Sequence, residues 1–168
     1  MADQYHLRAL ELEDLDALFS IENNSTHWKF ANRTHPYTRA FLMEYILQSH
    51  LRLQDIGQLR LAVVNKSNKA LGLVDLFDAD LHHRRAAVGI AIHERYQQKG
   101  LGSSTLKLLI DYCQKHLSLH QLYCDIDADH AISIHLFETA GFELCGTKKD
   151  WNYYDQKFHT VNMYQKLL

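Results

Sequence analysis

The chain has 168 residues, with 18 Lys and Arg against 20 Asp and Glu and a formal net charge of −2. Hydrophobic residues make up 46%, charged residues 23% and aromatics 11%, which excludes a disordered, collagen-like or membrane-embedded class. The near-neutral balance argues against a dedicated nucleic-acid binder, which carries a basic excess. At about 100–200 residues per domain, one domain spanning the whole chain, residues 1–168, is expected.

Tyr5 to Leu10 reads as a first strand. Leu12, Leu15, Leu18, Phe19 and Glu22 follow at helical spacing, with Glu13, Asp14 and Asp16 in a first turn where the helix dipole favours acids. Pro36-Tyr37-Thr38 opens a second helix, with Thr38 as its cap and Phe41, Leu42, Tyr45 and Ile46 on its apolar face. Leu59 to Val64 and Ala70 to Phe77 read as strands around the polar turn Asn65 to Lys69. His82-His83-Arg84-Arg85 is a second turn, whose adjacent histidines are expected to point to opposite sides, and Ala86 to Ile92 is the next strand. Strands joined this tightly form an antiparallel meander. Gly100 to His116 is helical, Gln121 to Ile126 a strand, and Ala131 to Ala140 a helix stopped by Gly141. Phe142 to Thr147 and His159 to Tyr164 are the last strands. The expected class is α/β: a mixed, mostly antiparallel central sheet flanked by about four helices.

The N-terminal residues Met1 to His6 contain no basic segment leading into an apolar run, and no stretch reaches the roughly 18 apolar residues that span a bilayer. Cys113, Cys124 and Cys145 lack CxxC spacing. These features predict a soluble cytoplasmic protein without a disulfide framework or a four-cysteine zinc site, each cysteine acting as a small buried hydrophobe.

The chemistry-bearing stretch runs from Gly89-Ile90-Ala91-Ile92 through His93-Glu94-Arg95-Tyr96 to Gln97-Gln98-Lys99-Gly100-Leu101-Gly102-Ser103. A strand feeds a loop, and two glycines open a long helix. Unpaired N–H groups and the positive dipole end of a helix suit a polyanion such as a pyrophosphate, and glycine admits close approach. The pattern is neither a Walker loop nor a Rossmann GxGxxG. On the glycines alone, a plain turn is the simpler reading.

Context adds to this. Gln97-x-x-Gly100-x-Gly102 resembles the Q/R-x-x-G-x-G/A signature of the GNAT superfamily of acyl-CoA N-acyltransferases, with the strand before and the helix after that the family requires. Ser133 to Phe142, a helix ending in Gly141-Phe142, resembles the family's second landmark at a fitting distance. Within the family, Glu22-Asn23-Asn24, Pro36-Tyr37, Gly72-Leu73-Val74-Asp75-Leu76 and His83-Arg84-Arg85-Ala86 are similar, in order and spacing, to stretches of bacterial spermidine N-acetyltransferases. Ribosomal-protein N-terminal acetyltransferases share part of the plan.

The resemblance implies a single-domain GNAT fold, acetyl-CoA as co-substrate with no metal required, a small-molecule amine acceptor, no nucleic-acid or membrane partner, and self-association. It implies that the backbone of Ile90, Ala91 and Ile92 pairs with the pantetheine arm. The N–H groups from Gln97 or Gln98 through Lys99, Gly100, Leu101, Gly102 and Ser103 would hold the pyrophosphate. The amine would attack the thioester directly, its carbonyl polarised by a backbone N–H near Ile92. Two positions depart from the family. Phe137 stands where a tyrosine often protonates the leaving thiolate, and reads as a packing residue under the pantetheine arm. His130 stands where the family has asparagine: it either enters the proton chemistry and the cofactor site or is a helix-capping surface histidine.

Asp75 sits among apolar neighbours, where a buried charge is costly unless paired. It is either an acceptor-amine ligand or water-mediated base, or an edge-strand acid paired with an arginine. Glu22 carries the same two readings, with an exposed helix acid as the bland one. Glu94 is a proton relay or a solvated loop acid. Trp28, Tyr37 and Trp151 line an acceptor pocket or pack in the core. A polycationic acceptor needs carboxylates and aromatics. Asp3, Glu11, Glu13, Asp14, Asp16 and Glu22, against Arg8, fit that need, as do Asp75, Asp78 and Asp80. Against it, Asn32-Arg33-Thr34-His35 stands where the spermidine enzymes carry an acidic pair before the proline. The expected function is acetyl transfer to a primary amine of a polyamine or similar small amine. The alternatives are a ribosomal-protein or peptide N-terminal acetyltransferase and a catalytically weak acyl-CoA-binding protein.

Overall fold

Hydrophobic alternation and turn chemistry lay the strands down in the expected order. The computed structural model describes residues 4–30, 33–50 and 53–168. Its elements are β1 (Tyr5–Ala9), α1 (Leu15–Glu22), α2 (Arg39–Gln48), α3 (Leu53–Ile56), β2 (Leu59–Asn65), β3 (Ala70–Asp80), β4 (Arg85–Ile92), α4 (Leu101–His116), β5 (Gln121–Asp127), α5 (Ala131–Thr139), β6 (Glu143–Tyr154) and β7 (Lys157–Leu167). Short 3-10 turns occupy Leu12–Asp14, Ser25–Phe30 and Glu94–Tyr96. The seven strands form one sheet in the order β1-β2-β3-β4-β5-β7-β6. Every neighbouring pair is antiparallel except β4 with β5.

Helices cover both faces, so the central strands β2 and β3 are buried on both sides and read as continuous apolar runs. Leu18 and Ile21 of α1 and Leu42 and Ile46 of α2 pack on Ala62, Val64 and Leu73. Leu106, Leu109 and Cys113 of α4 and Phe137 of α5 pack on Leu61, Val74, Leu76 and Val88. A side-chain period of two therefore puts Asp75 on the α1–α2 face with Leu73, not on the α4–α5 face with Val74 and Leu76.

Thr38 caps α2 as expected, its Oγ1 accepting from the Phe41 N–H at 3.1 Å. Several expectations need correction. Phe41 is half exposed, so the buried face of α2 is Leu42 and Ile46. Cys145 is exposed, while Cys113 and Cys124 are buried. Burial pushes the Cys113 thiol up to about 12. The His82 and His83 rings do not point apart: they meet edge to face at 4.8 Å, in an exposed turn. β3 extends to Asp80 through a bulge where Asp78 takes φ +46°, and β6 continues to Tyr154 past an irregularity between Lys148 and Asn152. The expectations resting on Met1, Ala2, Asp3 and Asn32 lie outside the described residues.

Candidate active site

β4 and β5 start side by side and then part. Their parallel register covers Arg85 with Gln121, Ala86 with Leu122 and Ala87 with Tyr123, and stops there. Beyond it, β5 stays paired with β7, and Gly89 to Ile92 pair only with β3. The β5-facing backbone groups of these residues are left without a strand partner, and all four residues are only partly buried. An extended chain can add there as a strand, because main-chain donors and acceptors on a sheet edge seek partners.

The loop that follows is held by its own polar groups. The Gln97 side-chain amide donates to the Ile92 carbonyl at 2.9 Å and lies 3.4 Å from His27 Nε2. The Gln97 N–H is already given to the Glu94 carbonyl, 3.2 Å, so the run of backbone donors open to an anion begins at Gln98 instead of Gln97. Gln98 takes φ +57° and Gly100 φ +77°, which turn the chain into α4. The first intrahelical bond runs from Ser104 N–H to the Gly100 carbonyl at 3.2 Å. The N–H groups of Leu101, Gly102 and Ser103 are therefore the orphans of the helix start. No acid stands in the first turn, so the positive end of the dipole is uncompensated by the chain itself. Lys99 is exposed and donates to the Arg95 carbonyl at 2.9 Å.

The two glycines do different work. A Cβ on Gly100 would meet nothing within 4 Å, so its need is backbone conformation. A Cβ on Gly102 would meet Leu136 Cδ1 and Cδ2 at 3.3 Å, so Gly102 lets α4 approach α5. Leu101 is buried and offers only its N–H outward.

Asp75 and Glu22 converge, though they come from different elements. Antiparallel register puts Arg60 of β2 opposite Asp75, and Asp75 opposite Gly89 of β4. Arg60 grips both Asp75 oxygens, Nε to Oδ1 and Nη2 to Oδ2, the latter at 3.2 Å. Its Nη1 donates to Glu22 Oε1 at 2.6 Å. Arg33 takes the other Glu22 oxygen and the Glu22 carbonyl, and its guanidinium lies on the Tyr37 ring at 3.7 Å. Asp75 is thus an arginine-paired acid, but on an interior strand and not an edge. Glu22 is no exposed helix acid, since its side chain is only 11% exposed. Burial is the largest influence on the Asp75 carboxyl and pushes it up; Arg60 pulls against that and Glu22 adds to it. Burial opposes the charge on Arg60, but Asp75 and Glu22 outweigh it and hold the guanidinium protonated.

The remaining predicted residues separate. His130 is the N-cap residue of α5, but its ring makes no capping bond. Instead it stacks on Phe30, centroids 4.1 Å apart and planes 1° apart. Burial, with His27 and Lys29 nearby, holds its imidazole below the ordinary histidine range, against the pull of Asp127. Phe137 is buried in the main core, edge to face with Phe142 at 5.0 Å. Glu94 is exposed. With Ser20, Ile21, Asn24, His27, Ile92 and His93 it lines a cleft at the end of β4. Trp28 donates to the Glu22 carbonyl at 2.9 Å, which ties the Ser25–Phe30 turn to α1. Trp151 is 63% exposed and does not pack in the core.

The sequence reading missed four contributors. Arg60 was not legible from the hairpin alone: a turn centred on Ser67 pairs Val64 with Ala70 and would set residue 60 opposite residue 74, and the bulge between Val63 and Val64 moves it opposite Asp75. His27 and Phe30 lie in a turn that has no apolar periodicity to reveal it. Asp127, at the end of β5, is buried and accepts from Asn152 and from the Tyr154 hydroxyl, each at 2.7 Å; its partners come from the extension of β6.

With that geometry in view, comparison with known proteins is informative. A family model described as an acetyltransferase (GNAT) domain matches residues 5–143. The spermidine N(1)-acetyltransferase of Escherichia coli K12 is 32% identical over 145 residues, 86% of this chain and 76% of that protein. The one from Vibrio cholerae is 29% identical over 142 residues, 84% of this chain and 80% of that protein. The crystal structure of the spermidine N-acetyltransferase from Vibrio cholerae in complex with CoA and spermine superposes with a TM-score of 0.88 at 25% identity, covering 98% of this chain and 95% of that one. A split sheet feeding an uncapped helix N-terminus, and a family match across most of its length, place this chain among the GNAT acetyltransferases.

Proposed function

We propose that this chain transfers the acetyl group of acetyl-CoA to a primary amine of a polyamine such as spermidine. The observation that carries the reading is the parting of β4 from β5, which ends at the open N-terminus of α4 and lies one strand from Asp75. The spermidine enzymes named above, one of which was crystallised with CoA and spermine, support it.

In this reading the pantetheine arm pairs with Ile90, Ala91 and Ile92, and the N–H groups from Gln98 through Ser103 hold the pyrophosphate. The acceptor, an ammonium in water, is drawn toward Glu22 and Asp75 and loses a proton before attack. The free amine attacks the thioester carbon, and a β4 N–H near Ile92 takes the developing oxyanion. Collapse breaks the carbon–sulfur bond, and the nitrogen, positively charged after the attack, gives its second proton to solvent to leave the neutral amide. A CoA thiol with an ordinary pKa of about 8.5 is a fair leaving group without an acid, which accommodates Phe137. His130, kept neutral by burial, is the candidate to receive the proton; Asp75, gripped twice by Arg60, is better suited to attract the amine than to deprotonate it. The reading includes a cytoplasmic, self-associating enzyme, for which the exposed Leu144, Trp151, Tyr153 and Phe158 offer an apolar surface.

The test is CoA release, followed with a thiol reagent over a no-acceptor blank for the protein's own cysteines. Acetyl-CoA is offered with spermidine, spermine, putrescine or an alanine- or serine-initiated peptide. Turnover with spermidine or spermine is expected. Turnover with the peptide alone would replace this reading with N-terminal acetylation. Acetyl-CoA binding without turnover on any acceptor would leave a binding protein.

A further inference from the structure

Glu22 has no free carboxylate oxygen. Oε1 is held by Arg60 and Oε2 by Arg33, and all four side chains of the set Asp75, Arg60, Glu22 and Arg33 are between 10% and 18% exposed. Two acids and two guanidiniums cancel. A site that is to draw in a polycation has thus been neutralised from within, and the two arginines are not equivalent. Arg60 lies on a central strand and is fixed by three bonds to two carboxylates. Arg33 lies between α1 and α2, outside regular structure. Among the described residues its sole acidic partner is Glu22, and its flat face rests on Tyr37.

We propose that Arg33 is a specificity-determining residue for the acceptor: an internal counterion on Glu22 that an acceptor ammonium must replace. This rests on the polyamine reading above. The physical case is competition for one anion. A carboxylate with both oxygens bound to guanidinium offers an incoming ammonium little unless one donor leaves. Arg33 is the donor that can leave while the Arg60 bridge to Asp75 stays intact. Tyr37, freed of its guanidinium, presents an aromatic face beside the same carboxylate, a pairing that suits an alkylammonium. Arg33 therefore sets how much positive charge an acceptor must bring to bind, without touching the thioester chemistry.

The test is the steady-state kinetics of Arg33→Gln and Arg33→Lys with acetyl-CoA and spermidine or spermine. R33Q removes the competitor, so its KM for the polyamine is expected to fall roughly tenfold, the size of one gained charge-assisted hydrogen bond. Its kcat and its KM for acetyl-CoA stay put. R33K keeps the competing cation and stays near wild type. A merely structural role would instead raise KM or lower kcat in both variants. In case R33Q does not fold, the same displacement is read on the wild type: spermine added to the CoA complex shifts the Arg33 side-chain Nε–H resonance, identified by its loss in R33K. The inference is overturned if wild type turns over spermidine and the R33Q KM is unchanged or higher, or if spermine leaves that resonance in place. If neither protein acetylates or binds any polyamine while acetyl-CoA still binds, the polyamine reading falls and takes this inference with it. Polyamine turnover by R33Q alone supports the inference.

Discussion

The two halves of the proposed site, for cofactor and for acceptor, are built from different materials. The cofactor half is backbone: an unpaired edge from Gly89 to Ile92, a loop, and the orphan N–H groups at the start of α4. It occupies one short run of chain, and no charged side chain is needed to shape it. The acceptor half is side chains: Glu22 from α1, Arg33 from the segment after it, Arg60 from β2 and Asp75 from β3, joined by ion pairs shielded from water. A backbone site depends on conformation and tolerates changes of neighbouring side chains. A charge network depends on every member, because each removal leaves a buried partner without its counterion.

The largest effect is therefore expected at Arg60. Arg60→Met leaves Asp75 and Glu22 facing each other with one guanidinium where there were two. Breaking a buried pair this way costs about 3–5 kcal/mol. For a chain of this size that lowers Tm by roughly 10 °C. The double variant Arg60→Met, Asp75→Leu removes a charge of each sign and recovers most of the loss. Thermal unfolding of the single and double variants checks this. An additive double variant would mean that the two residues do not act as a pair.

The same contrast explains what could be read from the sequence. The cofactor half was legible because its determinants are neighbours: Gln97, Gly100 and Gly102 lie within six residues, next to a strand and a helix of strong periodicity. Even there the sequence did not separate the two glycines, since only packing reveals that Gly102 faces Leu136. In the acceptor half Asp75 stood out as an acid in an apolar strand. Its partner Arg60 follows from the register of the β2–β3 hairpin only once the bulge between Val63 and Val64 is known, and Arg33 does not follow from it at all. No periodicity links it to Glu22, and the Ser25–Phe30 turn between them has no apolar repeat. The first 22 residues also gave a false impression of free negative charge. Asp14 is paired with Arg8 at 2.6 Å and Asp16 with Arg39 at 2.5 Å, while Glu22 serves two arginines. The extent of β6 was missed because its second half, from Lys148 to Tyr154, opens on the charged run Lys148-Lys149-Asp150 and passes through a bulge that breaks the alternation.

A smaller effect is expected in the cofactor half. Gly100→Val places a β-branched residue at φ +77°, with no neighbour for its Cβ to strike. The cost is conformational, about 1–2 kcal/mol. To relieve it, the loop turns its N–H groups away from their common direction. CoA binding, measured by calorimetry, is expected to weaken, while the Glu22–Arg33–Arg60–Asp75 set keeps its stability contribution. Equal loss of CoA affinity in Arg60→Met and Gly100→Val would break the division between the halves.

The smallest effect lies outside both halves, at the start of α5. His130 stacks on Phe30 at the start of α5, and burial holds its imidazole below the ordinary histidine range. The unfolded chain takes up this proton near pH 6.5. The folded chain refuses it until a lower pH, so between the two the unfolded state binds more protons and stability rises with pH. His130 thus costs nothing at pH 7.5. It withdraws stability as pH falls through about 6.5, and the loss levels off below the folded-state value. His130→Phe keeps a ring on Phe30 and removes the titration. The difference in urea midpoint between wild type and H130F should grow in the variant's favour from pH 7.5 to pH 5. A difference that stays flat would show that His130 is as free to protonate in the folded protein as in the unfolded chain, and would remove it as the proposed neutral proton acceptor.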